Sequence, residues 1–117
     1  MRYQSEGITI ECVSSRQQVT LRWLGRSDAR DPRQTLKPLL EAVRSKLDSA
    51  QSVDFDFRSF DYMNSSTIGP LLRLIRDTSH NAATVRVLYD GTKNWQRLSF
   101  MAIGAVLASI DNVEVCP

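Results

Sequence analysis

Three hydroxyl side chains stand in a row at Ser65, Ser66 and Thr67, preceded by Asn64 and followed by Ile68-Gly69-Pro70. Upstream, Val53-Asp54-Phe55-Asp56-Phe57-Arg58 alternates strictly between apolar and polar, the pattern of a strand. Downstream, Ile68, Leu71, Leu72 and Ile75 recur at helical spacing, and the helix runs to about His80. The hydroxyls therefore sit at a strand-to-helix junction, beside unsatisfied backbone N–H groups and the positive end of a helix dipole, and Pro70 brings no N–H of its own to the first turn. Such a place accommodates a phosphate. A phosphoserine would carry about −1.5 to −2 charges, which the helix end stabilises by roughly 0.3 to 2 kcal/mol, so modification need not unfold the chain. The same residue types also serve simply as helix caps.

Other chemistry lacks its parts. No Gly-rich loop with Lys follows a strand, no H-E-x-x-H is present, and neither cysteine has a histidine positioned to activate it, so the expectation is a protein that is not an enzyme. Cys12 and Cys116 lie in β-like runs without Cys-x-x-Cys spacing and read as free buried thiols. The single histidine, His80, closes a helix where a cation suits the C-terminal dipole; neither a metal nor a cofactor is expected. Net charge is +2 with scattered Lys and Arg, which gives no nucleic-acid stripe. The longest apolar run, Phe100 to Ala108, is far short of the ~20 residues of a membrane span, and the N-terminus lacks the apolar stretch of a secretion signal; the expected place is the cytoplasm.

The elements that must position the hydroxyls follow from periodicity. Ile8 to Val13 and Val19 to Leu24 read as two strands joined by a short polar hairpin loop, with Gly25 ending the second and Arg26 to Arg30 forming a charged surface loop. Leu36, Leu39, Leu40, Val43 and Leu47 form one helical stripe. Its start is either Asp31 as N-cap with Pro32 first, or Thr35 as N-cap with Pro38 in the first turn; Thr35 is favoured, because proline in a first turn forfeits no intrahelical bond. In the strand Val53 to Arg58, Asp54, Asp56 and Arg58 face a wet or helix-free side, so Asp54→Ala is expected to cost no more than roughly 0.5 kcal/mol. Val85 to Tyr89 is a further strand, and a helix from about Asn94 is apolar nearly all round until Gly104 offers a C-cap. Trp95 in that helix reads as core packing. Val113 to Cys116 closes the sheet. The order β-β-α-β-α-β-α-β in 117 residues predicts one α/β domain spanning 1–117, a mixed sheet with its helices mainly on one face.

From Phe57 to Leu72 the chain resembles STAS domains, the family of bacterial anti-sigma factor antagonists. In that family a strand ends in a hydrophobic pair, followed by Asp-Ser-Ser-Gly-Leu-Gly and an amphipathic helix. Here Tyr62-Met63 occupies the pair, Asn64 stands where the family has Asp, Ser65-Ser66 match, Thr67 replaces the first Gly, and Ile68-Gly69 match Leu-Gly. The resemblance implies a non-catalytic, cytoplasmic protein-binding switch in signal transduction and transcription regulation. Its unphosphorylated form binds a protein partner, an anti-sigma factor and serine kinase, and phosphorylation breaks the complex. The phosphorylated residue would be Ser66, with Ser65 as the alternative. Asn64 and Thr67 are candidate partner contacts, as are Arg73 and Arg76, which with Asp77 lie on the polar side of the second helix; that side also reads simply as a solvated face. Other STAS-like roles are a regulatory subunit of a membrane transport complex and a regulatory partner of a signalling enzyme such as a diguanylate cyclase.

Overall fold

A computed structural model describes the whole chain, Met1 to Pro117. The elements are β1 (Arg2–Ser5), β2 (Ile8–Ser15), β3 (Gln18–Ser27), α1 (Pro32–Leu47), β4 (Ser52–Asp56), β5 (Phe60–Met63), α2 (Ser65–Asn81), β6 (Thr84–Leu88), α3 (Asn94–Leu107) and β7 (Val113–Cys116). The sheet runs β1-β2-β3-β4-β6-β7, antiparallel through β1, β2 and β3 and parallel from β3 onward. β5 lies on the same edge of β3 as β4, further along: Gln18 to Arg22 pair with β4, and Gly25 to Ser27 pair with β5. The α/β architecture with a mixed sheet agrees with the sequence expectation. Alternate residues of the strands, among them Ile8, Ile10, Leu21, Trp23, Val53, Phe55, Val85 and Val87, enter one core with Leu36, Leu39 and Val43 of α1, Leu71 and Ile75 of α2, and Phe100 and Ile103 of α3.

Two strands go beyond the sequence reading. β1 carries no apolar alternation and exists because its backbone pairs with β2 across the Glu6-Gly7 turn, where both φ angles are positive. The β2–β3 hairpin likewise turns on Arg16-Gln17, both left-handed, the twist a two-residue hairpin favours. β5 is four residues long and continues along β3 what β4 began. Nor does Gly25 end β3: the strand passes through a bulge between Gly25 and Arg26 and runs on to a buried Ser27, so Arg26 and Ser27 are strand, not loop.

Helix boundaries correct three expectations. α1 starts at Pro32 after Asp31, the alternative that was not favoured. Pro32 at the first position needs no partner for the N–H it lacks and has φ preset for the helix, while Thr35 turns inward and its hydroxyl donates to Glu6 Oε2 at 2.8 Å. Pro38 and Pro70 therefore lie past the first turns of α1 and α2, and each withholds the N–H that the carbonyl four residues earlier, of Gln34 and of Ser66, would have accepted. α3 continues beyond Gly104 to a buried Leu107; Gly104 lies where β7 approaches, since a Cβ there would meet the Val115 side chain at 3.6 Å. α3 is also not buried all round, because Leu98, Met101 and Val106 face solvent.

The helix-free sheet face is where the sequence reading errs most. Across four strands, Arg2, Glu11, Arg22 and Asp56 stand in register with alternating sign, and on the next row Asp54, Arg86 and Glu114 do the same. Asp54 and Asp56 are nonetheless buried, at 5% and 7% exposure, because arginines lie over them. Arg86 grips Asp54 with two bonds of 3.0 and 2.7 Å, and Gln18 Nε2 donates to it at 3.3 Å. Burial by itself would push the Asp56 carboxyl up, but hydrogen bonds from the side chain and backbone N–H of Arg58, with its charge, outweigh that and hold it below the ordinary carboxylate range. Asp54→Ala is therefore expected to cost about 1–2 kcal/mol, the value of a charged hydrogen bond reduced for the half-exposed Arg86, and not the near-zero cost of a surface change. Urea denaturation measures it; a change within roughly 0.5 kcal/mol would show that water replaces the Asp54 carboxylate freely as the partner of Arg86.

Candidate functional site

The strand-to-helix junction is held in place by three elements. β5 delivers Met63, which is buried, to a position beside Ser27 at the end of β3. The Asn64 N–H donates to the Ser27 carbonyl at 2.9 Å, which ends the strand pairing, and α2 begins at Ser65. The joint between β4 and β5 is secured from α3 by Gln96, which is fully buried: its Nε2 donates to the carbonyls of Phe57 (2.7 Å) and Phe60 (3.0 Å), while its Oε1 accepts from the Asp90 N–H. These backbone groups lie where the chain leaves β4 and β6, and a side-chain amide is suited to satisfying donors and acceptors together.

At the junction itself the hydroxyls divide. Thr67 has 0% exposure and points into the protein. Its Oγ1 donates to Asn64 Oδ1 at 2.7 Å, so the 2.7 Å contact with Ser27 is donated by Ser27 Oγ. Asn64 Nδ2 in turn donates to the Ala29 carbonyl at 2.9 Å, tying α2 to the loop before α1. The chain of bonds from Ser27 through Thr67 and Asn64 to Ala29 uses both ends of the amide. An aspartate at position 64 would lack the donor for Ala29, and a glycine at position 67 would lack the partner for Ser27. Asn64 and Thr67, the two positions that differ from Asp and Gly, are joined here by a direct hydrogen bond. Thr67 does not reach the surface, which corrects its reading as a partner-contacting residue; it shapes the junction from within.

Ser65 and Ser66 are exposed, and only Ser66 borders a groove of about 650 Å³ between α1 and α2. Arg73 and Asp77 line the same groove, whereas Arg76, also exposed, lies away from it. On the α1 side the same groove is lined by Arg33 and Lys37, residues the sequence reading passes over although their i, i+4 spacing marks a polar face of that helix. Leu36, Leu40 and Leu74 make the apolar part of the groove. Tyr62, just before the junction, is exposed, lies under the Arg26 guanidinium and packs on Trp95, which is half-buried against Phe60 and Phe100. Elsewhere, burial pushes both cysteine thiols up, away from the reactive thiolate. No three His, Cys, Asp or Glu side chains form a set that could hold a metal ion, and no helix is long and apolar enough to cross a membrane.

No protein-family model and no curated protein matches the sequence. Among solved structures, the anti-sigma factor antagonist SpoIIAA in its unphosphorylated form matches with a TM-score of 0.60, over 94% of this chain and 88% of that one, at 14% identity. The fold is STAS-like. With so few identical residues the likeness is one of backbone architecture, and the STAS-like fold here carries its own junction chemistry, Asn64 and Thr67, on that architecture.

Proposed function

We propose that this STAS-like domain is a non-catalytic, cytoplasmic protein-binding switch of the anti-sigma factor antagonist kind, turned off by phosphorylation of Ser66. The observation that carries the reading is the exposure of Ser66 at the start of α2, on the border of the α1–α2 groove, within a fold shared with an anti-sigma factor antagonist. Ser65 is also exposed but does not line the groove, which favours Ser66. The partner is a protein, an anti-sigma factor with serine kinase activity, and Arg73 belongs to the contacted surface. Reversing a complex from mostly bound to mostly free takes on the order of 5.5 kcal/mol, which a phosphate can supply through repulsion, desolvation and steric clash.

The test is affinity capture from the native host, identification of the captured protein, and titration of variants against it. Ser66→Ala is expected to fold and bind as wild type and to resist release by the kinase. Ser66→Asp is expected to fold and to bind about tenfold more weakly, a loss near 1.4 kcal/mol, because one charge is only part of a phosphate's −1.5 to −2. A destabilised Ser66→Ala protein beside a Ser66→Asp protein with wild-type affinity would reduce Ser66 to a helix-cap residue. Capture of a transport ATPase or a cyclase in place of a kinase would move the domain to another kind of regulation.

A further inference from the structure

Arg33, Lys37, Arg44 and Arg73 line the groove between α1 and α2, against the carboxylates of Glu41 and Asp77. Unlike Arg2, Arg22, Arg26, Arg58 and Arg86, each of which has a carboxylate partner, none of the four groove cations makes an ion pair. Their excess over the two acids equals the net charge of the whole chain, +2.

The arrangement of these charges follows from the topology. β3, β4, β5 and β6 are parallel, so α1, between β3 and β4, and α2, between β5 and β6, run side by side in one direction. Arg33 is the second residue of α1 and Ser66 the second of α2, and both line the groove; Arg44 and Asp77, each farther along its helix, also line it and both border a smaller cavity with Asp48 and Asn81. Side chains on a helix lean toward its N-terminus, so Lys37 and Arg73 incline toward the end where Ser66 lies. Gly69, one turn after Ser66, leaves the space beside it open: a Cβ there would meet nothing within 4 Å.

We infer that a phosphate on Ser66 is held in this groove by Arg33 and Lys37 of α1, with Arg73 of α2. The inference rests on the reading of Ser66 as the switch residue and names how the modification acts. In the unmodified chain the groove cations face solvent and are available to a partner's carboxylates; in the modified chain they are engaged internally. The modification transfers the γ-phosphoryl group of a nucleoside triphosphate. The Ser66 Oγ–P bond forms as the bridge to the β-phosphate breaks, the diphosphate leaves, and the hydroxyl proton passes to the kinase's base. Ser65, one residue earlier, turns about 100° away around the helix and cannot present a phosphate to the same cations.

The experiment places phosphoserine at position 66 during synthesis and follows the second phosphate ionisation by ³¹P NMR against pH. Two chains serve as comparison: one with phosphoserine at position 65, and one with phosphoserine at 66 carrying Arg33→Gln and Lys37→Gln. Nearby cations favour the dianion, so the second pKa at position 66 is expected to lie on the order of 1 unit below that of both comparison chains. Equal values in all three would overturn the capture, and the position-65 comparison decides the matter even if the double variant folds poorly. Release of the partner on phosphorylation with no displaced pKa would overturn the capture and leave the switch standing. A displaced pKa with undiminished partner binding would sustain the capture and remove the switch.

Discussion

Phe57→Ala is expected to cost about 3–5 kcal/mol, among the largest losses any single side chain here can produce. Phe57 has 0% exposure and stands at the centre of the aromatic cluster, with ring centroids 5.0 Å from Phe100, 5.1 Å from Trp23 and 6.1 Å from Phe60. Such pairs add about 0.5–1.5 kcal/mol each beyond the area they bury. Collapse of the cavity is resisted on two sides, since the Phe57 N–H donates to the Leu88 carbonyl and its own carbonyl accepts from Gln96. The loss also reaches function, because Phe57 is the last fixed point before β5 carries the chain to Ser66. Phe57→Leu, a smaller volume change, should recover most of the stability. Urea denaturation of both variants provides the measure. A Phe57→Ala loss below about 1.5 kcal/mol would mean that the cluster repacks without its central ring.

Gly25→Ala is expected to destabilise the domain by two mechanisms at once. Gly25 has φ +86°, where an L side chain is strained by roughly 1–3 kcal/mol, and an added Cβ would lie 2.0 Å from the Gly7 carbonyl oxygen. That oxygen belongs to backbone and accepts from the Arg26 N–H at 3.0 Å, so it cannot swing aside without breaking the bulge; overlap of this kind costs a further 1–3 kcal/mol or so. Gly7→Ala is the matched comparison. Gly7 has a similar φ of +90°, but its Cβ would meet only the Arg26 carbonyl, at 3.4 Å, so it should show the backbone strain without the overlap. Thermal melts of the two variants are expected to rank Gly25→Ala as the more damaging. NMR shifts of Ser27, Thr67 and Asn64 should move with it, since the bulge sets which way Ser27 points and a one-residue slip in a strand reverses its faces. Equal losses at Gly7 and Gly25 would mean that the β2–β3 pairing yields to the methyl group.

The two variants act on the same structural problem. β3 has to pair with β4 over its first half and with β5 over its second, and the bulge at Gly25 with the Gln96 bonds at the β4–β5 joint makes that handover. Only after it can Ser27 bond Thr67 and fix the start of α2. Trp23, beside this joint, has a buried indole N–H with no acceptor among the protein groups.

The part of the fold legible in the residues alone is what periodicity records. Val53, Phe55 and Phe57 on one face of a strand, the stripe from Leu36 to Leu47, and the apolar face of α2 are local repeats, and a core that buries one face of each element follows from them. The strand-to-helix junction was legible for the same reason; the resemblance to STAS domains came separately, from the residues Tyr62 to Gly69. The tertiary structure decided everything that depends on a partner far along the chain. β1 and β5 lack a pattern of their own and become strands because β2 and β3 offer them unpaired backbone. Asp54 is buried because Arg86, 32 residues later, covers it. Thr67 turns inward because Ser27, 40 residues earlier, waits for it, and Ser66 rather than Ser65 borders a positive groove because Arg33 and Lys37 come from another helix. Periodicity reports which side of an element is apolar; hydrogen bonds and charges are satisfied by whichever groups the fold brings near, and no local pattern contains their identity.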